Sequence, residues 1–232
     1  MNFLKQYEWI LFDADETLFQ FDAFAGLKLM FSRFDVNFTE SDYHEYQLLN
    51  TALWIDYQNN QITVHALKCR RFDLWSKKLN IPAEHLNSAF MSAMVEICIP
   101  LDGAVNLLKS LHGHVKLGIV TNGFTELQQE RLVRTGLKHH FEFVVTSEEV
   151  GIAKPHAGIF DYALSIMGHP ARDRVLMVGD NPDSDILGGM NAELHTCWLN
   201  IHARELPPYI TPHHQVTSLG ELERWLCDSH YA

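Results

Sequence analysis

The sequence of 232 residues predicts an α/β fold, a doubly wound parallel sheet interrupted by an inserted all-helical domain. Two observations predict this fold. From about residue 98 onward, short apolar runs alternate with helical segments, a pattern that implies right-handed crossovers between parallel strands. Before that point, about eighty residues show only helical periodicity. The predicted core domain therefore comprises residues 1–17 and 98–232, and the predicted helical domain comprises residues 18–97.

The first predicted strand, Trp9 to Phe12, ends abruptly in acidic residues, Asp13 and Asp15. Ligands of parallel sheets bind beyond the carboxyl ends of the strands, and side chains two apart in an extended chain point the same way. Two carboxylates in one small space suit a nucleophile or metal ligand beside a proton donor. The simpler alternative is an acidic turn that caps a helix.

The inserted segment has its apolar residues at helical spacing, with breaks near residues 35–40, 56–61 and 80–82 and with Thr39 as a candidate N-cap. We expect these residues to form the core of the insert. Four stripes recur: Phe24, Leu27, Phe31 and Phe34; Tyr43, Tyr46, Leu49 and Leu53; Val64, Leu67, Phe72, Trp75 and Leu79; and Leu86, Phe90, Ala93, Met94 and Ile97.

The remainder of the chain alternates strands with helices. A capping box of Thr125 and Gln128 is predicted to start one helix, and Ser218 is predicted to cap the last. The predicted strands cover residues 115–120, 142–146, 174–178 and 196–199. The predicted helices cover residues 104–111, 125–136, 158–167 and 185–191, followed by one that ends near residue 227.

Composition narrows the class of partner. A formal net charge of −11 argues against nucleic-acid polymers, which proteins hold mainly with lysine and arginine. The four cysteines lack Cys-x-x-Cys spacing and are expected to be reduced thiols. The first residues show no apolar signal segment, and no apolar stretch has the length of a membrane span. We therefore expect a soluble cytoplasmic protein that acts on a small molecule, without a membrane or an evident protein partner.

Three further predicted strand ends carry polar residues. Thr121 and Asn122 follow one strand, Lys154 lies in a loop before a helix, and Asp180 and Asp185 follow a third strand. Taken singly, each has a simpler interpretation as a turn, a solvated lysine or a helix cap. In a parallel sheet, however, all these strand ends emerge at one edge. They are therefore predicted to converge with the first acidic pair on one pocket.

Such a pocket needs a cation. At about 4 Å, each pair of like charges costs about 4 kcal/mol at an effective dielectric constant of 20. Four carboxylates against one lysine cannot all remain ionised under that repulsion. Because the ligands are all oxygens, Mg²⁺ is the divalent ion that suits them.

The ordered motifs Asp-x-Asp-x-Thr, Thr-Asn, Ala-Lys-Pro and Gly-Asp-x4-Asp resemble those of the haloacid dehalogenase superfamily of aspartyl-nucleophile phosphohydrolases. Within it, the whole chain is similar to the enterobacterial pyrimidine 5′-nucleotidases. Small departures occur at Glu16 and residues 181–183. The further likeness lies in Leu18-Phe19-x-Phe21-Asp22, Leu53-Trp54-x-Asp56-Tyr57-Gln58-Asn59, Ser147-Glu148-Glu149-Val150-Gly151, Ser184-Asp185-Ile186-Leu187-Gly188-Gly189 and Thr196-Cys197-Trp198-Leu199-Asn200.

This resemblance implies a Rossmann-like core with a helical cap and a Mg²⁺-dependent reaction. It implies that Asp13 attacks phosphorus and that Asp15 donates and later accepts a proton. The metal ligands would be the carboxylates of Asp13 and Asp180 and the backbone carbonyl of Asp15. Asp185 would lie behind these ligands or hold the lysine. Mn²⁺ is expected as a substitute for Mg²⁺.

The phosphoryl oxygens would be held by Thr121 and the backbone of Asn122, and Lys154 would offset charge on the phosphate and on Asp13. The implied substrates are pyrimidine nucleoside 5′-monophosphates: dUMP, UMP, dTMP and noncanonical analogues. The implied products are nucleoside and phosphate, formed through an aspartyl-phosphate.

Three alternatives remain open at this point. The first is a phosphatase or phosphomutase of the same superfamily that acts on sugar phosphates. The second is a non-enzymatic module that binds phosphate or carries a phospho-aspartate as a signal. The third is a dehalogenase. Asp15 argues against the last two, because neither a stable phospho-aspartate nor halide displacement needs a neighbouring acid.

Overall fold

The computed structural model describes residues 3–228. The chain divides into two compact units, of which the first contains the described residues up to Gln20 and from Ile99 onward and the second is Phe21–Cys98. The boundaries expected from the sequence, after residues 17 and 97, lie slightly earlier in the chain.

A six-stranded parallel sheet forms the first unit. The order across it is β3-β2-β1-β4-β5-β6, which confirms the predicted doubly wound α/β class. The strands are β1 (Trp9–Phe12), β2 (Lys116–Thr121), β3 (Phe143–Thr146), β4 (Val175–Gly179), β5 (His195–Leu199) and β6 (His214–Val216).

The central strand β1 is buried at every position, which is why its sequence is continuously apolar. It pairs with β2 on one side and with β4 on the other, and Phe12 is opposite both Ile119 and Val178. The residues that follow these three strands therefore emerge at the same edge of the sheet. Strand β6 was not predicted, because it has only three residues, including the half-buried His214 and the exposed Gln215, and pairs with β5 alone.

The second unit, Phe21–Cys98, is entirely helical, as the periodicity predicts. The capping box at its second helix joins Thr39 and Asp42, which confirms Thr39 as an N-cap. The helices are α1 (Ala23–Ser32), α2 (Glu40–Gln58), α3 (Val64–Arg70), α4 (Asp73–Leu79) and α5 (Ala83–Glu96).

Most of the predicted stripes pack in the interior of this helical unit. The ring of Phe31 lies 4.4 Å from that of Trp75, between centroids. Leu49 is an exception, with 41% of its surface exposed, so its predicted core position is wrong. The interior also holds a charge that the pattern did not reveal: buried Arg71 donates from Nε to Oδ1 of Asn87 at 3.1 Å. A buried guanidinium requires such a partner.

The described part of the sheet unit also contains six α-helices: α6 (Ala104–Leu111), α7 (Thr125–Arg134), α8 (Ser147–Val150), α9 (Ala157–Ile166), α10 (Leu187–Asn191) and α11 (Leu219–Cys227). Ser218 caps the last of them, as predicted.

The predicted capping box at Thr125 and Gln128 is wrong. Phe124 is the N-cap of α7 and makes no side-chain capping bond. The hydroxyl of Thr125 instead forms a hydrogen bond of 2.6 Å with the hydroxyl of Thr146, at the end of β3. The Thr125 hydroxyl therefore bonds to a neighbouring strand and not to the backbone of its own helix.

Within residues 3–228, we find no helix that combines the length and apolar character of a membrane span.

Candidate active site

Asp13 is the first residue after β1, and its backbone N–H still donates to the carbonyl of Val178 in the neighbouring strand. This bond continues the strand pairing and holds the Asp13 backbone at the carboxyl edge of the sheet. The residue is buried, with 7% of its surface exposed. Its carboxylate therefore lies directly after the buried central strand of the sheet.

Lys154 lies in the loop before α9, and its ammonium group is almost completely buried. It donates to Oδ1 of Asp13 at 2.6 Å, to Oδ1 of Asp185 at 2.7 Å and to the carbonyl of Val120 at 2.8 Å. Burial alone would lower the pKa of this lysine, but the two carboxylates outweigh burial and raise it. Lys154 is therefore a fixed cation at the edge of the sheet.

Three carboxylates meet beside this lysine. Asp13, Asp180 and Asp185 each have one carboxylate oxygen that lies within 4.8 Å of the corresponding oxygens of the other two. Asp180 directly follows β4, and Asp185 lies in a π-helical turn, Pro182–Ile186. Gly179 leaves room for this turn: a Cβ there would lie 2.2 Å from Oδ2 of Asp185.

The carboxylates repel one another. Burial, followed by the charges of Asp185 and Asp13, raises the pKa of Asp180 to about 7. Burial also raises the pKa of Asp185, and the charge of Lys154 opposes that shift only in part. The site therefore holds more negative charge than its own cations can neutralise.

This excess charge fits a divalent cation. The available donor atoms are carboxylate oxygens, the ligand type that Mg²⁺ prefers over thiolate or imidazole. A bound cation would relieve the repulsion that raises the pKa of Asp180. The donor set of Asp13, Asp180 and Asp185 thus suits the metal that the sequence predicts at this edge.

Arg204, which the sequence analysis missed, contacts Asp180 as well. Its Nη2 atom donates to Oδ2 at 3.1 Å and to the backbone carbonyl at 2.6 Å. The indole N–H of Trp198 donates to the same carbonyl, while the backbone N–H of Asp180 donates to the hydroxyl of Thr17. These bonds orient Asp180 within the cluster. No local motif identifies Arg204, because it reaches Asp180 from beyond β5.

Thr121 is the last residue of β2, and Asn122 follows it at the same edge. The backbone N–H of Gly123 donates to the hydroxyl of Thr121, which is buried. The Asn122 side chain accepts from the N–H of Lys154 at 2.8 Å and donates to its carbonyl at 3.0 Å. The sequence predicts a role only for the backbone of Asn122, whereas its side chain also fixes the loop that carries Lys154.

The side chain of Asp15 is not a member of the three-aspartate cluster. Its Oδ1 atom accepts from Nη1 of Arg131, on α7, at 2.6 Å. Arg131 was not predicted as a site residue. Its position four residues after the buried Leu127, on the same helix face, could have indicated that it is buried. The structure therefore brings Asp13, Lys154, Asp180 and Asp185 together and pairs Asp15 with a separate cation.

This fold and site define a doubly wound α/β protein with an aspartate-rich centre at the carboxyl edge of its sheet. The chain belongs to the haloacid dehalogenase-like hydrolase family, whose model matches residues 7–193.

The relatives that match nearly the whole chain include two pyrimidine 5′-nucleotidases. The pyrimidine 5′-nucleotidase YjjG of Escherichia coli is 56% identical over 96% of this chain and 99% of its own length. The pyrimidine 5′-nucleotidase PynA of Streptococcus pneumoniae is 30% identical over 93% of each chain.

Solved structures share the fold. The crystal structure of the hydrolase YfnB of Bacillus subtilis bound to magnesium has a TM-score of 0.84 at 29% identity, covering 95% of this chain and 99% of the other. An L-2-haloacid dehalogenase of Xanthobacter autotrophicus has a TM-score of 0.72 at 17% identity, covering 94% and 97%. At that identity, the second structure shows only that the fold is shared.

The repulsion within the cluster predicts a pH-dependent stability in the metal-free protein. The folded-state pKa of Asp180, about 7, lies above the ordinary value of 3.8. The free energy of unfolding of the wild-type protein should therefore fall as pH rises between these values. Asp180→Asn has no carboxyl group to ionise at this position and should not show this fall. In excess EDTA, Asp180→Asn should thus raise the free energy of unfolding at about pH 8, by at most about 4 kcal/mol.

The measurement is urea unfolding of both proteins at several pH values. The gain should disappear at about pH 4, where the carboxyl group is protonated in the folded state. Asp161→Asn, an exposed aspartate on α9, serves as the matched control and should show no such trend. A destabilisation by Asp180→Asn that is the same at every pH would contradict the repulsion.

Proposed function

We propose that this chain is a Mg²⁺-dependent 5′-nucleotidase that hydrolyses pyrimidine nucleoside 5′-monophosphates, including dUMP, UMP, dTMP and noncanonical analogues. The supporting observation is its 56% identity to the E. coli pyrimidine 5′-nucleotidase over 96% of the chain. The clustered carboxylates and buried lysine at the sheet edge supply the groups that such a reaction needs. The proposed site of action is the cytoplasm.

In the first step, an oxygen of Asp13 forms a bond to phosphorus while the bond between phosphorus and the ribose O5′ breaks. Asp15 gives its proton to O5′, so the nucleoside leaves as a neutral alcohol. Lys154 stays charged beside Asp13 and balances the negative charge of the transferring group. Thr121 and the backbone of Asn122 hold the phosphoryl oxygens.

In the second step, a water oxygen forms a bond to the phosphorus of the aspartyl-phosphate, and the bond from phosphorus to Asp13 breaks. Asp15, now a carboxylate, takes a proton from that water. Phosphate leaves, and both acids return to their starting states. One side chain thus serves as acid and then as base, which requires that it reach both oxygens in turn.

Asp13, Asp180 and the backbone carbonyl of Asp15 would hold the Mg²⁺, and Asp185 would hold Lys154. When bound, the ion would supply positive charge that offsets the negative charge of the phosphoryl group. Mn²⁺ has the same charge and accepts the same oxygen ligands, so we expect it to substitute. The Bacillus subtilis relative with a TM-score of 0.84 was solved bound to magnesium, which supports this assignment.

The test is a phosphate-release assay across matched substrates. UMP, dUMP and dTMP should be hydrolysed with kcat/KM at least about tenfold above that for AMP and GMP, a ratio equivalent to about 1.4 kcal/mol. Two competing classes belong in the same assay: hexose 6-phosphates, and N-acylneuraminate 9-phosphate, whose human phosphatase is 36% identical over 50% of this chain. A competing class that exceeds every nucleotide would overturn the proposed substrate.

A further inference from the structure

Arg131 is a charged side chain that the proposed reaction does not yet use, although only 2% of its surface is exposed. Its Nη1 atom donates to Oδ1 of Asp15, and its Nε atom donates to Oε1 of Gln128 at 2.8 Å. Its guanidinium carbon lies 4.5 Å from the ring centre of Phe19. The guanidinium is thus held on three sides in one orientation.

This arrangement is costly for the fold. The guanidinium loses its hydration, whereas the side chain of Asp15 remains 28% exposed, so the ion pair offsets only part of the cost of burying Arg131. In addition, Nη2 of Arg131 and Nε2 of Gln128 are buried without a hydrogen-bond partner among residues 3–228. A buried donor without an acceptor needs an explanation other than packing. Apart from the hydrogen bond between Arg131 and Gln128, the hydrogen bond that these two side chains do make is the one from Arg131 to Asp15.

The pairing with Arg131 distinguishes the two oxygens of Asp15. Oδ1 is occupied by the guanidinium N–H, so a proton carried by Asp15 must be on Oδ2. Oδ2 lies on the side of Gly123, where an added Cβ would be 3.2 Å from it, in the loop proposed to hold the phosphoryl group. Arg131 has only 2% of its surface exposed, and its Nη1 and Nε atoms already donate to Asp15 and Gln128, so it is not placed to bind a substrate directly. It can act only through Asp15.

We propose that Arg131, itself oriented by Gln128, is a positioning residue that directs Oδ2 of Asp15 toward the leaving-group oxygen of the phosphate ester. This role rests on the proposed function, because it requires a reaction in which Asp15 donates a proton. Gly123 contributes by having no side chain: a Cβ there would lie 2.1 Å from Nε2 of Gln128.

The test compares two leaving groups. The ribose oxygen of UMP is a poor leaving group that needs a proton, whereas the phenolate of p-nitrophenyl phosphate leaves without one. The ratio of kcat/KM for UMP to that for the aryl ester therefore reports proton donation in the first step. This ratio is also independent of the fraction of protein that is folded.

Arg131→Met should lower the ratio at least about 30-fold, since general acid catalysis contributes about 100-fold or more. Arg131→Lys, which keeps the positive charge and an N–H donor for Asp15, should restore most of the ratio. Gln128→Met should lower it by a smaller factor and provides a second variant if Arg131→Met does not fold. Arg134→Met, at an exposed position on the same helix, should leave the ratio unchanged.

Coupling to Asp15 is tested by the double variant. In an Asp15→Asn background, Arg131→Met should change the ratio by less than about twofold, because the residue it positions is no longer an acid. An equal fall with both esters in Arg131→Met would show a structural role alone and overturn the proposal. An undiminished ratio in both Arg131→Met and Gln128→Met would do the same.

The wild-type protein separates this inference from the proposed function. If it hydrolyses another alkyl phosphate with a higher kcat/KM than every nucleotide, the substrate assignment fails, and the same ratio is measured with that alkyl ester. If it hydrolyses neither alkyl nor aryl phosphates, the proposed function fails and the positioning role fails with it.

Discussion

Replacing Asp13 by asparagine is expected to lower kcat for UMP at least about 1,000-fold, because an amide oxygen is a poor nucleophile toward phosphorus. The substitution keeps the size of the side chain, and its amide oxygen can still accept from Lys154. The loss should therefore come from chemistry rather than from unfolding. Steady-state phosphate release, together with a thermal melting curve, measures both.

A second measurement separates the role of nucleophile from that of metal ligand. Wild-type protein quenched in acid during turnover of ³²P-labelled UMP should retain label on the chain, whereas Asp13→Asn should retain none. Asp161→Asn is the matched control, since it makes the same chemical change at an exposed site and should behave as wild type. Turnover by Asp13→Asn within about tenfold of wild type would refute the assignment of the nucleophile.

Removing divalent metal should have a similarly large effect. In excess EDTA, hydrolysis of UMP should fall at least about 100-fold and return when Mg²⁺ or Mn²⁺ is added. The reason is the charge at the site: the oxygens of Asp13, Asp180 and Asp185 converge within 4.8 Å, and an anionic substrate adds more negative charge. Lys154 and Arg204 cannot offset this total alone.

The assignment of Asp180 as a metal ligand predicts which substitution lowers the affinity for Mg²⁺. Asp180→Asn should raise the Mg²⁺ concentration for half-maximal activity at least about tenfold, because one anionic ligand is lost. Asp183→Asn is the control: its carboxylate accepts from the Tyr209 hydroxyl and lies outside the three-aspartate group. Full activity after exhaustive chelation would contradict the metal requirement, and equal Mg²⁺ dependence in both variants would contradict the assignment of Asp180.

Local patterns accounted for much of the site. Asp13 and Asp180 each follow a buried apolar strand, and that transition from apolar to acidic is readable from neighbours in the sequence. The parallel order of strands then predicts that these residues share one edge. Four carboxylates against one lysine predict a bound cation even before any distance is known.

Other parts of the site could not be predicted from local patterns. Arg131 lies 116 residues from Asp15 along the chain, and Arg204 lies 24 residues from Asp180. The Thr125 hydroxyl bonds to Thr146 rather than capping its helix, since a long-range partner competes with the local one. Each of these contacts is made by a side chain whose partner is chosen by packing.

By itself, the sequence determined the fold class, the all-helical insert and the set of acids at the sheet edge, because strand and helix periodicity and strand-end polarity are local properties. The family resemblance already implied that Lys154 lies near Asp13, whereas tertiary structure decided that Asp15 and Asp180 each pair with an arginine. Folding places Lys154 between Asp13 and Asp185 and gives Asp15 a separate partner in Arg131. Electrostatic partners depend on distances of a few ångströms between distant segments, and only the packed chain defines those distances.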